Sequence, residues 1–208
     1  MPIDANHDTS HDTTPYANHY IDRLKSTAPK NNRLYMIVDG AQNPEIMARI
    51  EQSDELVSSL YSLDTAPRLK AVGPWILQVQ KDEPLAAWII EQGANQNWFI
   101  TFSSLGKTLD YLRRQFRRIA IVKETSDTDA KDKHLYFRYY DPRVLRTFLP
   151  SCSERQRRYI FDDINCFWAQ GDDLEKVLQF HPDGKENALN MQHIPEDWLS
   201  EEPNPPLR

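Results

Sequence analysis

Leu135-Tyr136-Phe137-Arg138-Tyr139-Tyr140-Asp141-Pro142-Arg143-Val144-Leu145-Arg146-Thr147-Phe148-Leu149-Pro150 changes its hydrophobic period partway along. Leu135 to Tyr140 is aromatic, long or branched, which suits a pleated strand with Leu135, Phe137 and Tyr139 on the core face. Asp141 offers a side-chain oxygen to the orphan amides of a helix start, and Pro142 fits the first helical position, where no N–H is needed. Val144, Leu145, Phe148 and Leu149 then recur at helical spacing until Pro150 stops the run. The stretch therefore predicts a strand, a cap and a helix in direct succession.

Upstream, Ile119 to Lys123 reads as a second strand, joined to the first by the polar loop 124–133 as a long hairpin. Before it, Leu105, Leu109, Leu112, Phe116 and Ile119 form the clearest helical stripe in the chain. The opposite face of that helix carries Arg113, Arg114, Arg117 and Arg118, with the pairs 113/117 and 114/118 one turn apart. Such a patch suits a solvated face, an acidic protein partner or phosphates. Leu34 to Val38 is an apolar run closing at Asp39-Gly40, a strand entering a turn. Asp39 is then either a catalytic carboxylate or a turn-forming one. Asn43-Pro44-Glu45 caps a helix with Ile46, Met47 and Ile50 inward, and Val57 to Leu63 suits a strand or a short helix. Trp75 to Val79 reads as a strand in which Trp75 is a core residue or a contact anchor. Glu83-Pro84 opens a helix carrying Leu85, Trp88 and Ile89 and ended by a left-handed Gly93, and Asn97 to Phe102 returns to strand.

Downstream of Pro150, Ser153-Glu154-Arg155-Gln156 has the form of a capping box, with Tyr159, Ile160 and Ile164 inward. Asn165 to Trp168 suits a short strand, and Asp172-Asp173 a cap for a weak helical segment through Leu174, Val177 and Leu178. The ends are polar, and the first suits a mobile tail with a short helix near Tyr20 to Leu24. His7 and His11 stand four apart but lack a third ligand on a credible helix, and the proline- and acid-rich end offers only Trp198 and Leu199 for docking.

The 208 residues carry 25 Lys and Arg against 31 Asp and Glu, a formal charge of −6, which argues against a chain built for nucleic-acid backbones. An apolar leader and a bilayer-length run are both missing from the sequence, so the expectation is a cytoplasmic chain that does not meet a membrane. Two cysteines, Cys152 and Cys166, are too few for a disulfide framework or a four-cysteine metal site and read as core thiols. The six glycines are scattered singly, and G-x-S-x-G, H-E-x-x-H and C-x-x-C are missing. An enzyme would have to be assembled from Asp39, Asp141, Arg138, Arg143 and His134, or from acidic pairs such as Asp162-Asp163, without a paired nucleophile and base. The expectation is no catalysis, no cofactor and no metal.

Phe137 to Leu145 resembles the "FR-aromatic-YDPRVL" signature of the bacterial domain-of-unknown-function 4123 family. Leu34 to Ala41 is similar to that family's "strand-D-G-A" opening, Gly73 to Leu77 to its "P-aromatic-L" block, and Asn97 to Ile100 to its middle block, in the same order. The resemblance implies a bacterial cytoplasmic adaptor chaperone of type VI secretion. Such a protein binds one toxic effector, encoded by a neighbouring gene, and helps place it on the secretion spike protein. It implies partner-binding roles for Asp39, Trp75, Arg138, Tyr140, Asp141 and Arg143. A regulatory or nucleic-acid binding module using the arginine face is the alternative, and a hydrolase ranks below it. The expected architecture is α/β or α+β: a polar tail over 1–32, a helix-covered mixed sheet over 33–150, a mainly helical part over 151–194 and a proline- and acid-rich tail over 195–208.

Overall fold

The computed structural model describes residues 15–62, 65–124, 133–173 and 176–191. The fold is α+β. Its elements in chain order are α1 (Pro15–Thr27), β1 (Arg33–Asp39), α2 (Glu45–Gln52), β2 (Val57–Ser59), α3 (Pro67–Ala71), β3 (Pro74–Val79), α4 (Pro84–Gly93) and β4 (Phe99–Ser104). They continue with α5 (Leu109–Ile119), β5 (Ile121–Glu124), β6 (Lys133–Tyr136), α6 (Pro142–Ser151), α7 (Glu154–Ile160), β7 (Cys166–Gln170), β8 (Lys176–Phe180) and β9 (Glu186–Asn190). Seven strands form one sheet in the order β2-β3-β1-β4-β7-β8-β9, while β5 and β6 pair as a separate ribbon.

β1 lies inside the sheet between β3 and β4, with Met36 opposite Leu77 on one side and Thr101 on the other. Its alternate residues divide between two cores. Leu34, Met36 and Val38 join Tyr20, Leu24, Ile46, Leu85 and Ile89 beneath α1, α2 and α4. Tyr35 and Ile37 join Leu112, Phe116, Tyr139, Leu145, Leu149 and Ile160 beneath α5, α6 and α7. Both sheet faces are covered, so every residue from Leu34 to Asp39 and from Phe99 to Ser104 is buried. That is why Leu34 to Val38 reads as an unbroken apolar run, while β4 buries Thr101, Ser103 and Ser104 among its apolar residues.

Three expectations are corrected at this level. Every pairing in the sheet is antiparallel, so the sheet is not mixed, and the hairpin expected within it stands apart as the β5–β6 ribbon. The part after residue 151 is not mainly helical: β7, β8 and β9 extend the main sheet from β4, and the segment read as capped by Asp172-Asp173 is strand β8. The helix suggested near Tyr20 to Leu24 is present as the longer α1, which seats Ala17, Tyr20, Ile21 and Leu24 in the core, so this part of the N-terminal segment is not a mobile tail. His7, His11, Trp198 and Leu199 lie outside the described residues.

Local signals fare unevenly. Asp141 caps α6 by accepting the Arg143 amide at 2.9 Å, and the Ser153–Gln156 capping box forms in both directions. Gly93 does not take a left-handed conformation; it is the last residue of α4, and glycine is needed there because a side chain would meet Trp98 Cβ at 2.9 Å. Asn97 takes the positive φ instead. Leu105 lies before α5, which starts at its Thr108 cap, and is exposed, as is Tyr159. The predicted strand 135–140 ends at Tyr136, and a turn closed by the Asp141 amide on the Arg138 carbonyl carries both Tyr139 and Tyr140 into the core. Cys152 and Cys166 are buried free thiols.

Candidate functional site

The C-terminal end of β1 is pinned on both sides. The Asp39 amide donates to the Trp98 carbonyl at 2.8 Å and the Gly40 amide to the Gly73 carbonyl at 2.9 Å. A side chain at Gly40 would strike the Ala71 carbonyl oxygen at 2.5 Å, so only glycine lets the chain turn this close to its neighbour. The turn folds back onto Asp39, whose Oδ1 accepts the Ala41 amide at 3.1 Å and whose Oδ2 accepts Gln42 Nε2 at 3.0 Å.

Across 99 positions of sequence, Arg138 donates from Nη2 to Asp39 Oδ2. Three residues further on, Asp141 is gripped by Arg143, with Nε on Oδ1 at 3.0 Å and Nη2 on Oδ2 at 2.7 Å, the two-pronged geometry that suits a guanidinium and a carboxylate. The two carboxylates are interior, with 1% and 7% of their side-chain surface exposed, whereas the two guanidinium side chains are 46% and 57% exposed. Burial alone would raise the Asp141 carboxyl, but the Arg143 side chain and amide outweigh it and hold the group below its ordinary value. Burial pulls Arg138 down, and the Asp39 contact together with the Tyr140 and Asp141 charges outweighs it, so its value rises. Burial also raises the Tyr140 hydroxyl, with Tyr61 and Asp39 adding to the effect.

Five of the six residues singled out from the sequence thus meet in one network: Asp39, Arg138, Tyr140, Asp141 and Arg143. Trp75 does not join them. It packs on the opposite face of the sheet, against the core under α1, α2 and α4, and its indole N–H donates to the Lys70 carbonyl at 3.1 Å.

The four arginines of α5 are not one free patch. Arg113 is half-buried and donates from Nε to the Ser59 carbonyl at 2.7 Å and from Nη2 to the Tyr61 carbonyl at 3.3 Å, clamping the end of β2. Arg114 and Arg118 are exposed and Arg117 half-buried. Asp163, of the Asp162-Asp163 pair, is held by Lys107 at 3.0 Å and by the Tyr111 hydroxyl, which lower its carboxyl value. Among the described residues there is no group of three or more His, Cys, Asp or Glu side chains able to hold a metal ion.

Sequence reasoning missed a groove of about 710 Å³ between α2, the segment 53–56 and the start of α4. Arg49 lies over the Trp88 ring at 4.4 Å, and Leu56 is 67% exposed. Glu55 accepts the Leu85 and Ala86 amides at 2.6 and 3.3 Å, and its burial, only partly offset by these bonds, raises its carboxyl value. Leu56, an apolar residue between acids and a short strand, was the available signal.

A helix-covered antiparallel sheet in which the end of interior strand β1 is latched to a distant strand-to-helix turn by the Asp39–Arg138 pair, with Asp141 and Arg143 paired within that turn, defines an α+β domain with a charged surface latch. The family described as "Domain of unknown function (DUF4123)" matches residues 34–159, and the chain belongs to it. The match begins one residue into β1 and contains both halves of the latch. No curated protein and no solved structure matches the chain.

Proposed function

We propose that this protein is an adaptor chaperone that binds a specific toxic effector in the bacterial cytoplasm and helps load it onto the spike protein of a type VI secretion system. Membership of the family supports the class of protein. The observation that carries the binding role is the division of labour in the latch: Asp39 and Asp141 are interior anchors, and Arg138 and Arg143 are held at the surface with donors to spare. Arginine keeps its charge at any physiological pH and reads carboxylates and carbonyls by geometry, which suits recognition of a protein partner. The carboxylates meanwhile fix the guanidinium groups before a partner arrives, so less side-chain entropy is lost on binding.

The test is co-expression with the products of the flanking genes, followed by size-exclusion chromatography in moderate salt. The expected result is a stoichiometric complex with a neighbouring product, weakened by Arg143→Ala. Elution alone, or with nucleic acid in place of a protein, overturns the reading.

A further inference from the structure

We infer that the groove between α2 and α4 seats a basic, amphipathic segment of a partner protein. The inference rests on the adaptor reading and supplies it with a docking site on the opposite face of the sheet from the Arg138 latch.

Three features point to that occupant. The groove has an apolar component from Leu56, Leu85, Ala87 and Trp88, and Leu56 faces solvent although nothing in the core requires it to. An exposed leucine beside a tryptophan is the kind of anchor pair on which protein interfaces concentrate their energy. Around this floor stand four carboxylates, of Asp54, Glu55, Glu83 and Glu91, against the single guanidinium of Arg49. Glu55 is committed to the amides at the start of α4 and Glu83 to the Gln80 amide and side chain, so both acids are fixed in place. With four carboxylates to one guanidinium, the lining as a whole is negative. Finally, the face of the Trp88 ring already holds a guanidinium at 4.4 Å, and Arg49 is itself exposed. An arginine from a partner can take the same position over the ring, with Arg49 moving into water.

Charge decides between occupants. An acidic or neutral apolar segment would set its own carboxylates or bare amides against the acid rim, at a cost of like-charge repulsion or desolvation. A segment with Leu or Phe on one face and Arg or Lys on its flanks meets the floor and the rim together. A groove of this size accepts about two to three helical turns of such a segment.

The test is fluorescence anisotropy of a labelled Leu/Arg peptide, patterned as an amphipathic helix, against the full chain, with a Leu/Glu peptide of the same pattern as comparison. The expected result is salt-sensitive binding of the Leu/Arg peptide only, weakened at least about tenfold by Asp54→Lys and by Leu56→Ser. Both positions are at the surface, so thermal melting should stay near the wild type. Asp110→Lys with Glu186→Lys, exposed acids outside the groove, should leave binding unchanged. Equal binding of both peptides overturns the inference, as does equal loss in the outside pair or indifference to both groove variants. The adaptor reading is decided separately, by co-elution of the wild-type chain with its neighbour. A complex that survives the groove variants, alongside lost peptide binding, would seat that partner elsewhere and also overturn the inference.

Discussion

Asp141 performs two tasks with one carboxylate: it accepts the Arg143 amide as the cap of α6 and it holds the Arg143 guanidinium. The tasks separate by chemistry, because asparagine caps a helix about as well as aspartate but carries no charge. The folded-state value of Asp141 lies below its ordinary one, so its charge contributes stability above the unfolded value of about 4 and loses it as pH falls through the lower folded value. Arg143 is largely exposed, and water screens the pair. Asp141→Asn is therefore expected to cost no more than about 1 kcal/mol at neutral pH, measured by urea unfolding. The gap from wild type should close as the pH drops through the acid range. A gap independent of pH would place the cost in cap geometry instead.

At the scale of elements, the latch depends on how closely β1 approaches the start of β3. The contacts at Gly40 are with backbone oxygens of Ala71 and Gly73, which cannot swing aside as a flexible side chain would. Gly40→Ala is expected to destabilise the fold by about 1–3 kcal/mol, as overpacking does, and to lower the thermal midpoint without removing any charged group. Weakened partner binding at a temperature where the variant is still folded would show that the turn also positions Arg138 through Asp39. The turn itself was readable, since Asp39-Gly40 after an apolar run announces it, as Asp141-Pro142 announces a helix start. The ion pair between Asp39 and Arg138 was not readable, because no local pattern records which distant turn a strand end will meet. The antiparallel sense was hidden for a related reason. With helices on both faces, β1 loses the polar alternation that usually marks an antiparallel strand, and strands alternating with helices imitate a parallel fold. The groove escaped because Asp54, Glu55 and Leu56 meet Arg49 on one side and Glu83, Trp88 and Glu91 on the other only through packing.

For the whole molecule, the boundary of the family match poses a sharper question than its content. The match ends at residue 159, inside α7, yet the sheet continues through β7, β8 and β9. β7 pairs with β4 along four residues, and Phe167 packs against Phe102, Phe116 and Phe161 in the core under α5, α6 and α7. On the other face Trp168 is fully buried in the core that holds α1. A chain ending at residue 160 would leave β4 as an unpaired edge, the arrangement that invites pairing between molecules, and would open both cores at once. It is expected to be insoluble, or to retain far-ultraviolet circular dichroism while losing its near-ultraviolet signal and binding a hydrophobic dye. Cooperative unfolding of that shortened chain would make residues up to 160 an autonomous unit and the last three strands an addition to it. The packing argues the reverse: Phe167 and Trp168 lie on adjacent positions of one strand and close opposite cores, so the two sides of the sheet are completed by the same segment and should fold as one unit.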